Sequence, residues 1–167
     1  METRIKVLGH PVHPMLIVYP LGLFSAAVIF DILYVITGND DLAIFSFWAI
    51  AAGLVGGLLA AVFGLVDFLA LPGSTRAKRV GLWHGGGNVV VVVLFVVSWL
   101  MRFGDPTYLP GIAPLIPELL AGAVALVTAW LGGELVYRLG VGVDQDANLD
   151  ASNSMAEAPL DVNPPRG

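Results

Sequence analysis

Ionisable side chains stand inside or beside long apolar stretches of this sequence, where burial is expensive and polar residues are therefore informative. Two histidines open the first stretch in "GHPVHPMLIVYP", and each is followed by proline. The candidates along the chain are His10, His13, Asp31, Asp67, His84, Asn88, Glu118 and Glu134. Neutral imidazoles and carboxylates are ligands for zinc, iron, manganese or copper. Because the chain has no cysteine, thiolate metal sites and disulfides are excluded.

Two histidines on facing helices are also the axial ligands of a b-type haem. The chain has three histidines in all, so one bis-histidine haem is the maximum, for example between His13 and His84. The third histidine and the nearby carboxylates favour a non-haem metal ion slightly. The zinc-protease motif HExxH is absent. A transition metal ion and one haem b therefore both stay open.

The elements that must position these residues are long and apolar. The composition is 57% hydrophobic and 13% charged, whereas soluble proteins carry roughly 25% charged residues. Four apolar runs, at 15–36, 42–71, 80–101 and 112–137, reach the length of about 20 residues that a bilayer core requires. The sequence predicts an all-α, four-helix transmembrane bundle over 1–143 and a disordered acidic tail over 144–167. No internal repeat is convincing in the sequence.

Lysines and arginines are distributed unequally between the two sides of this bundle. One side carries Arg4, Lys6, Arg76, Lys78, Arg79 and Arg138. The other side carries Arg102 alone. The positive-inside rule therefore predicts that both termini are cytoplasmic.

This topology brings polar residues from four helices to one level, at the cytoplasmic interface. The candidate metal ligands there are His10, His13, His84, Asp67 and Glu134, with Asn88 and Arg138 as supporting neighbours. Glu134 and Arg138 are also spaced to pair with each other on one helix face. A plain interfacial polar layer is the alternative, because side chains at this depth reach water. Asp31 and Glu118 lie near the opposite side, where Asp31 either belongs to a proton path or reaches water.

Local signals predict how some helices begin. Pro14 suits the first position of a helix, which makes His13 the predicted N-cap of the first helix. Asp40 or Asp41 is the predicted cap of the second helix. The three glycines at 85–87 predict close approach of a neighbouring helix or of a flat cofactor.

Four segments carry a resemblance to a known family. They are "GHPVHPMLIVYPLGLF" at 9–24, "GLVDFLALP" at 64–72, "HGGGN" at 84–88 and "GGELVYRLGVGV" at 132–143. They resemble the bacterial membrane family catalogued as domain of unknown function 2231, over about residues 7–143. The resemblance implies a four-helix inner-membrane domain without an assigned activity. It also implies an association with electron transfer, because some relatives carry a Rieske-type iron–sulfur domain on the same chain.

The leading expectation is a small redox-associated protein of the bacterial plasma (inner) membrane, binding a metal ion or one haem b at the cytoplasmic interface. A transporter or channel-like subunit with a polar path is one alternative, and a structural membrane subunit without a cofactor is another. The lipid bilayer and a membrane redox partner are the expected partners. The formal net charge of -5 argues against nucleic acid. Whether the protein is an enzyme stays open.

Overall fold

A computed structural model describes residues 2–103, 109 and 111–155. A short antiparallel pair of strands, β1 Lys6–Val7 and β2 His10–Pro11, precedes the helices. The helices are α1 Val12–Leu16, α2 Val18–Thr37, α3 Asp40–Ala70, α4 Arg76–Leu100 and α5 Leu115–Gly133. A π-helical segment, Glu134–Arg138, continues α5.

Four helical stretches are long and apolar enough to cross a membrane. They are Val12–Thr37, Asp40–Ala70, Arg76–Leu100 and Leu115–Arg138, the shortest of which has 24 residues. A helix of about 20 residues spans the hydrocarbon core. The prediction of an all-α, four-helix transmembrane bundle is therefore confirmed. The cytoplasmic placement of the termini stays a prediction.

The acidic tail is described only in part, because residues 156–167 lie outside the described residues. Residues 144–155 are exposed and form short turns, in which the backbone N–H of Asp146 donates to Asp144 at 3.0 Å. The Ser154 hydroxyl donates to the carbonyl of Leu8 at 3.1 Å. The predicted disorder of the tail stays a prediction.

The first helix begins earlier than the sequence indicated. Pro11 has extended backbone, with ψ 130°, and α1 starts at Val12. His13 is therefore inside the first turn, and its prediction as N-cap is wrong. Pro14 is tolerated in that turn because the first N–H groups of a helix have no partner within it.

The second long helix is capped by Asn39 and not by either of the two predicted aspartates. Gly38 ends α2 in the left-handed conformation, with φ 70°. This turn places Asn39 in extended backbone, and its side chain accepts from the N–H of Asp41 at 3.1 Å. The cap predicted at Asp40 or Asp41 is therefore wrong. Both aspartates lie in the first turn instead, where the helix dipole favours acidic groups.

The helices pack as two hairpins, α2 with α3 and α4 with α5. Contacts of α3 with α4 and of α2 with α5 close the bundle, so α2 and α4 stand across it from each other. The core is formed mainly by Phe24, Ile50, Leu54, Val91 and Phe95. Most other large apolar side chains are exposed, as lipid contact requires.

The two hairpins place equivalent residues at equivalent positions. The rings of Phe24 and Phe95 stack across the bundle with centroids 4.0 Å apart and planes 8° from parallel. The sequence spacing between them also relates His13 to His84, Ala27 to Ser98 and Asp31 to Arg102. A second constant spacing relates buried residues of α3 and α5, namely Ile50 to Glu118, Gly53 to Ala121 and Ala60 to Thr128. These constant spacings relate residues of the first hairpin to residues of the second, a relation that the sequence motifs did not make evident.

Candidate functional site

The imidazole of His13 is anchored on the backbone of the neighbouring helix α3. Its Nδ1 lies 2.8 Å from the carbonyl oxygen of Ala60. Because a carbonyl only accepts, Nδ1 carries the hydrogen and Nε2 of the neutral ring keeps its lone pair. Gly64, one turn further along α3, makes room for the ring, since a Cβ there would lie 2.8 Å from Cε1 of His13.

His84 is anchored in the same way in the second hairpin. Its Nδ1 lies 2.9 Å from the carbonyl oxygen of Thr128 on α5. Gly132 is again one turn further, and a Cβ there would lie 3.1 Å from Cε1 of His84. The amide of Asn88 donates to the carbonyl of His84 at 2.9 Å and faces its Nε2 at 3.3 Å. The i,i+4 neighbourhood predicted for His84 and Asn88 is therefore present.

The two anchored histidines form a pair. His13 lies on α1, which packs against α3, and His84 lies on α4. The approach of α3 to α4 at Gly57 and Val92, and at Phe68 and Gly81, places both rings at the same level of the bundle. Both side chains are half-buried. A histidine whose Nδ1–H is held by a backbone carbonyl is oriented as metal-binding histidines are, with Nε2 as the ligating atom. The pair marks one end of the bundle, which we call the histidine end.

The two predicted carboxylate ligands at the histidine end have other partners. Asp67 accepts from the backbone N–H of Arg4 at 3.2 Å. Glu134 forms an ion pair with Arg76 at 2.5 Å. The pair of Glu134 with Arg138 that the spacing allowed is therefore replaced by a pair between helices.

His10 lies apart from the paired histidines, on the exposed strand β2. Its Nε2 is 3.4 Å from the Ser154 hydroxyl. Across residues 2–103, 109 and 111–155, no three histidine, aspartate or glutamate side chains are close enough to hold one metal ion. The structure thus brings together His13, His84 and Asn88, and leaves His10, Asp67 and Glu134 outside that group.

The glycine run beside His84 has two different roles. A Cβ at Gly87 would collide with the methyl group of Thr128, so this glycine permits the close approach of α4 and α5. Gly85 and Gly86 are exposed, and a Cβ at either position would meet nothing within 4 Å. They leave a helix surface without side chains next to His84.

A buried ionic cluster occupies the other end of the bundle, which we call the arginine end. Arg102 contacts the carboxylates of both Asp31 and Glu118 through Nη2, and its Nη1 donates to Asp31 Oδ1 and to Ser46 at 3.3 Å each. The Ser98 hydroxyl donates to Glu118. Arg102 is 1% exposed, and both acids are 0% exposed.

The sequence did not indicate this cluster as a unit. Its pattern puts Asp31 and Glu118 at one level but allows Asp31 to reach water, and Arg102 enters only the prediction of orientation. Asp31 is fully buried and does not reach water. One sequence feature could have indicated the cluster: Asp31 and Arg102 are separated by the same number of residues as His13 and His84.

These features define an integral, multi-pass membrane protein of four apolar helices, with two anchored histidines at one end and buried charges at the other. Residues 9–145 match the family described as "Predicted membrane protein (DUF2231)", and the chain belongs to that family. The resemblance that the sequence motifs indicated is confirmed. No curated protein matches the chain, and no solved structure does.

Proposed function

We propose that the protein binds one haem b between His13 and His84 and takes part in electron transfer in a bacterial inner membrane. The observation that carries this proposal is the matched anchoring of the two rings. Each Nδ1 is held by a backbone carbonyl, at 2.8 and 2.9 Å, so Nε2 is the ring nitrogen left to act as ligand, in His84 once the Asn88 amide has turned away. Axial ligation of haem iron by two histidines uses this arrangement from opposite sides of the ring.

The contacts favour haem over a non-haem metal ion. A protein metal site of the zinc type uses at least three protein ligands. The carboxylates of Asp67 and Glu134 are engaged with Arg4 and Arg76, which leaves the two histidines as the supported ligands. A b-type haem needs no more than these two, and Gly85 and Gly86 leave the helix surface beside His84 free of side chains.

The residues around the pair have defined tasks in this proposal. The carbonyls of Ala60 and Thr128 orient the imidazoles, and Gly64 and Gly132 allow the rings to lie against the partner helices. The amide of Asn88 must turn away from Nε2 of His84 when that atom ligates iron. When bound, the haem would supply reversible one-electron chemistry.

The test is the absorption spectrum and haem content of the full chain, purified in detergent from cells supplied with haem. We expect a low-spin, six-coordinate spectrum that becomes high-spin or disappears in His13→Ala and in His84→Ala. His10→Ala is the matched control and is expected to keep the spectrum, because His10 lies outside the pair. Metal analysis of the same samples distinguishes haem iron from another metal.

Folded, helical protein without haem, also after addition of hemin, would refute the proposal. An unchanged spectrum in both His13→Ala and His84→Ala would refute the ligand assignment. A stoichiometric non-haem metal would show that the pair binds an ion instead.

The transporter alternative has less support from the geometry. Its polar path would have to join the histidine end to the arginine end. Between these two levels the described interior is filled by Phe24, Phe95, Ile50 and Leu54. Dependence of a solute flux in liposomes on Asp31 would favour transport over the haem proposal.

A further inference from the structure

The ionic cluster at the arginine end collects groups from all four long helices. Asp31 comes from α2, Ser46 from α3, Ser98 from α4 and Glu118 from α5, and Arg102 follows α4 directly. Every one of these side chains is almost completely buried. They belong to no part of the histidine pair, so the cluster requires its own explanation.

The formal charges of the cluster do not balance. Two carboxylates face one guanidinium, and the other described members are the neutral hydroxyls of Ser46 and Ser98. With both acids ionised, the described members of the cluster would carry an uncompensated negative charge on fully buried side chains. Such a charge is expensive to bury, and a buried group avoids the expense by binding a proton.

The contacts distinguish the two carboxyl groups. Both oxygens of Asp31 face Arg102, Oδ1 through Nη1 and Oδ2 through Nη2. Glu118 uses Oε1 alone, for Arg102 and Ser98, while its buried Oε2 has no hydrogen-bond partner within the described part of the chain. Nε of Arg102 is also buried, and it has no hydrogen-bond partner among the described residues. A negative charge on Asp31 therefore faces Arg102 through both oxygens, whereas the negative charge of an ionised Glu118 would be poorly compensated.

We propose that the Asp31–Arg102–Glu118 cluster is a proton-binding site, in which the carboxyl group of Glu118 holds the proton. With the proton bound, the cluster is neutral. On release the O–H bond of Glu118 breaks, the proton passes to water, and the carboxylate stays beside Arg102. Among the described residues, the charged groups that face Glu118 are Asp31 from α2 and Arg102 after α4, and α3 contributes the hydroxyl of Ser46. This site needs no cofactor and goes beyond the proposed haem binding.

The experiment is infrared spectroscopy of the full chain in lipid nanodiscs across a pH series. We expect a protonated-carboxyl C=O band at neutral pH, which shifts in heavy water and disappears at alkaline pH. Labelling the carboxyl carbon of glutamate should move the band, whereas labelling that of aspartate should not. These measurements use the unmodified chain and therefore do not depend on whether a variant folds.

Two variants test the charge balance. Glu118→Gln should abolish the band by removing the acid. Asp31→Asn should also abolish it, because one carboxylate and one guanidinium then remain and Glu118 ionises. Glu134→Gln is the matched control on the same membrane-spanning stretch and should leave the band unchanged. The proposal is overturned if the unmodified chain shows no such band, if the band follows aspartate labelling, or if it persists in Glu118→Gln or in folded Asp31→Asn.

Discussion

The packing of the His13 ring against α3 predicts that the variant Gly64→Ala is less stable than the unmodified chain. A Cβ at position 64 would lie 2.8 Å from Cε1 and 3.0 Å from Nδ1 of His13. Contacts this short do not persist, so the imidazole must move. Because its Nδ1 is held by the carbonyl of Ala60 at 2.8 Å, the movement breaks that hydrogen bond.

The expected loss of stability follows from three contributions. Forcing an extra methyl group into a packed contact costs about 1–3 kcal/mol. The lost hydrogen bond adds about 0.5–1.5 kcal/mol. Alanine in place of glycine within a helix offsets about 0.8–1.0 kcal/mol. We therefore expect Gly64→Ala to lower the free energy of unfolding by about 0.5–4 kcal/mol.

Two further glycines provide the comparison. A Cβ at Gly132 would lie 3.1 Å from His84, a milder contact, so Gly132→Ala should lose less stability than Gly64→Ala. A Cβ at Gly22 on α2 would meet nothing within 4 Å, and Gly22→Ala should be neutral or slightly stabilising. The assay is the helical circular dichroism of each variant in mixed detergent as the fraction of dodecyl sulfate increases.

A second measurement follows the imidazole itself. Nitrogen NMR of histidine-labelled protein should show the hydrogen of His13 on Nδ1 in the unmodified chain and loss of that preference in Gly64→Ala. If Gly64→Ala is as stable as Gly22→Ala and keeps the Nδ1–H form, the ring does not depend on the glycine at position 64. The idea that anchored rings define the site would then be refuted.

Three other outcomes are expected. Arg102→Met should lower the free energy of unfolding by about 3–5 kcal/mol, because it leaves two buried acids without their cation. A change below about 1 kcal/mol would contradict the buried network. Glu134→Gln should lose only about 0–1 kcal/mol, since its partner Arg76 is 54% exposed, and added salt should remove the difference. The ammonium of Lys6 donates a hydrogen bond to Glu2, and this raises the pKa of Lys6 above its ordinary value of 10.5. The contact therefore stabilises the folded chain below pH 10.5, and its contribution is lost as the pH rises through the raised pKa. An NMR titration of Lys6 should show that pKa fall back in Glu2→Gln, and an unchanged pKa there would contradict the contact.

The sequence predicted the helices well because their signals are local. Length and hydropathy of each apolar run decide whether a helix can span a bilayer, and the runs at 15–36 and 80–101 each contain most of an observed span. Exact helix starts were less predictable. The start at Val12 depends on the strand pair before it, and the cap at Asn39 depends on the left-handed turn at Gly38.

The level of each polar residue was also within reach of the sequence, because each helical residue advances about 1.5 Å along the axis. Counting along the spans put His13 and His84 at one end, and Asp31 and Glu118 at the other. The same counting could not show which of these residues touch. Helices that are apolar on all faces have no polar stripe to indicate which side turns inward.

The sequence by itself therefore determined four spans and the depth of their polar residues. The tertiary structure decided the partners: His13 with Ala60, His84 with Thr128, and Arg102 with both Asp31 and Glu118. It also showed that the two histidines are anchored in the same way in the two hairpins. The physical reason is that depth depends on one helix alone, whereas partners depend on the rotation of separate helices about their axes. That rotation is set by close packing at glycines and by the need of buried charges to meet.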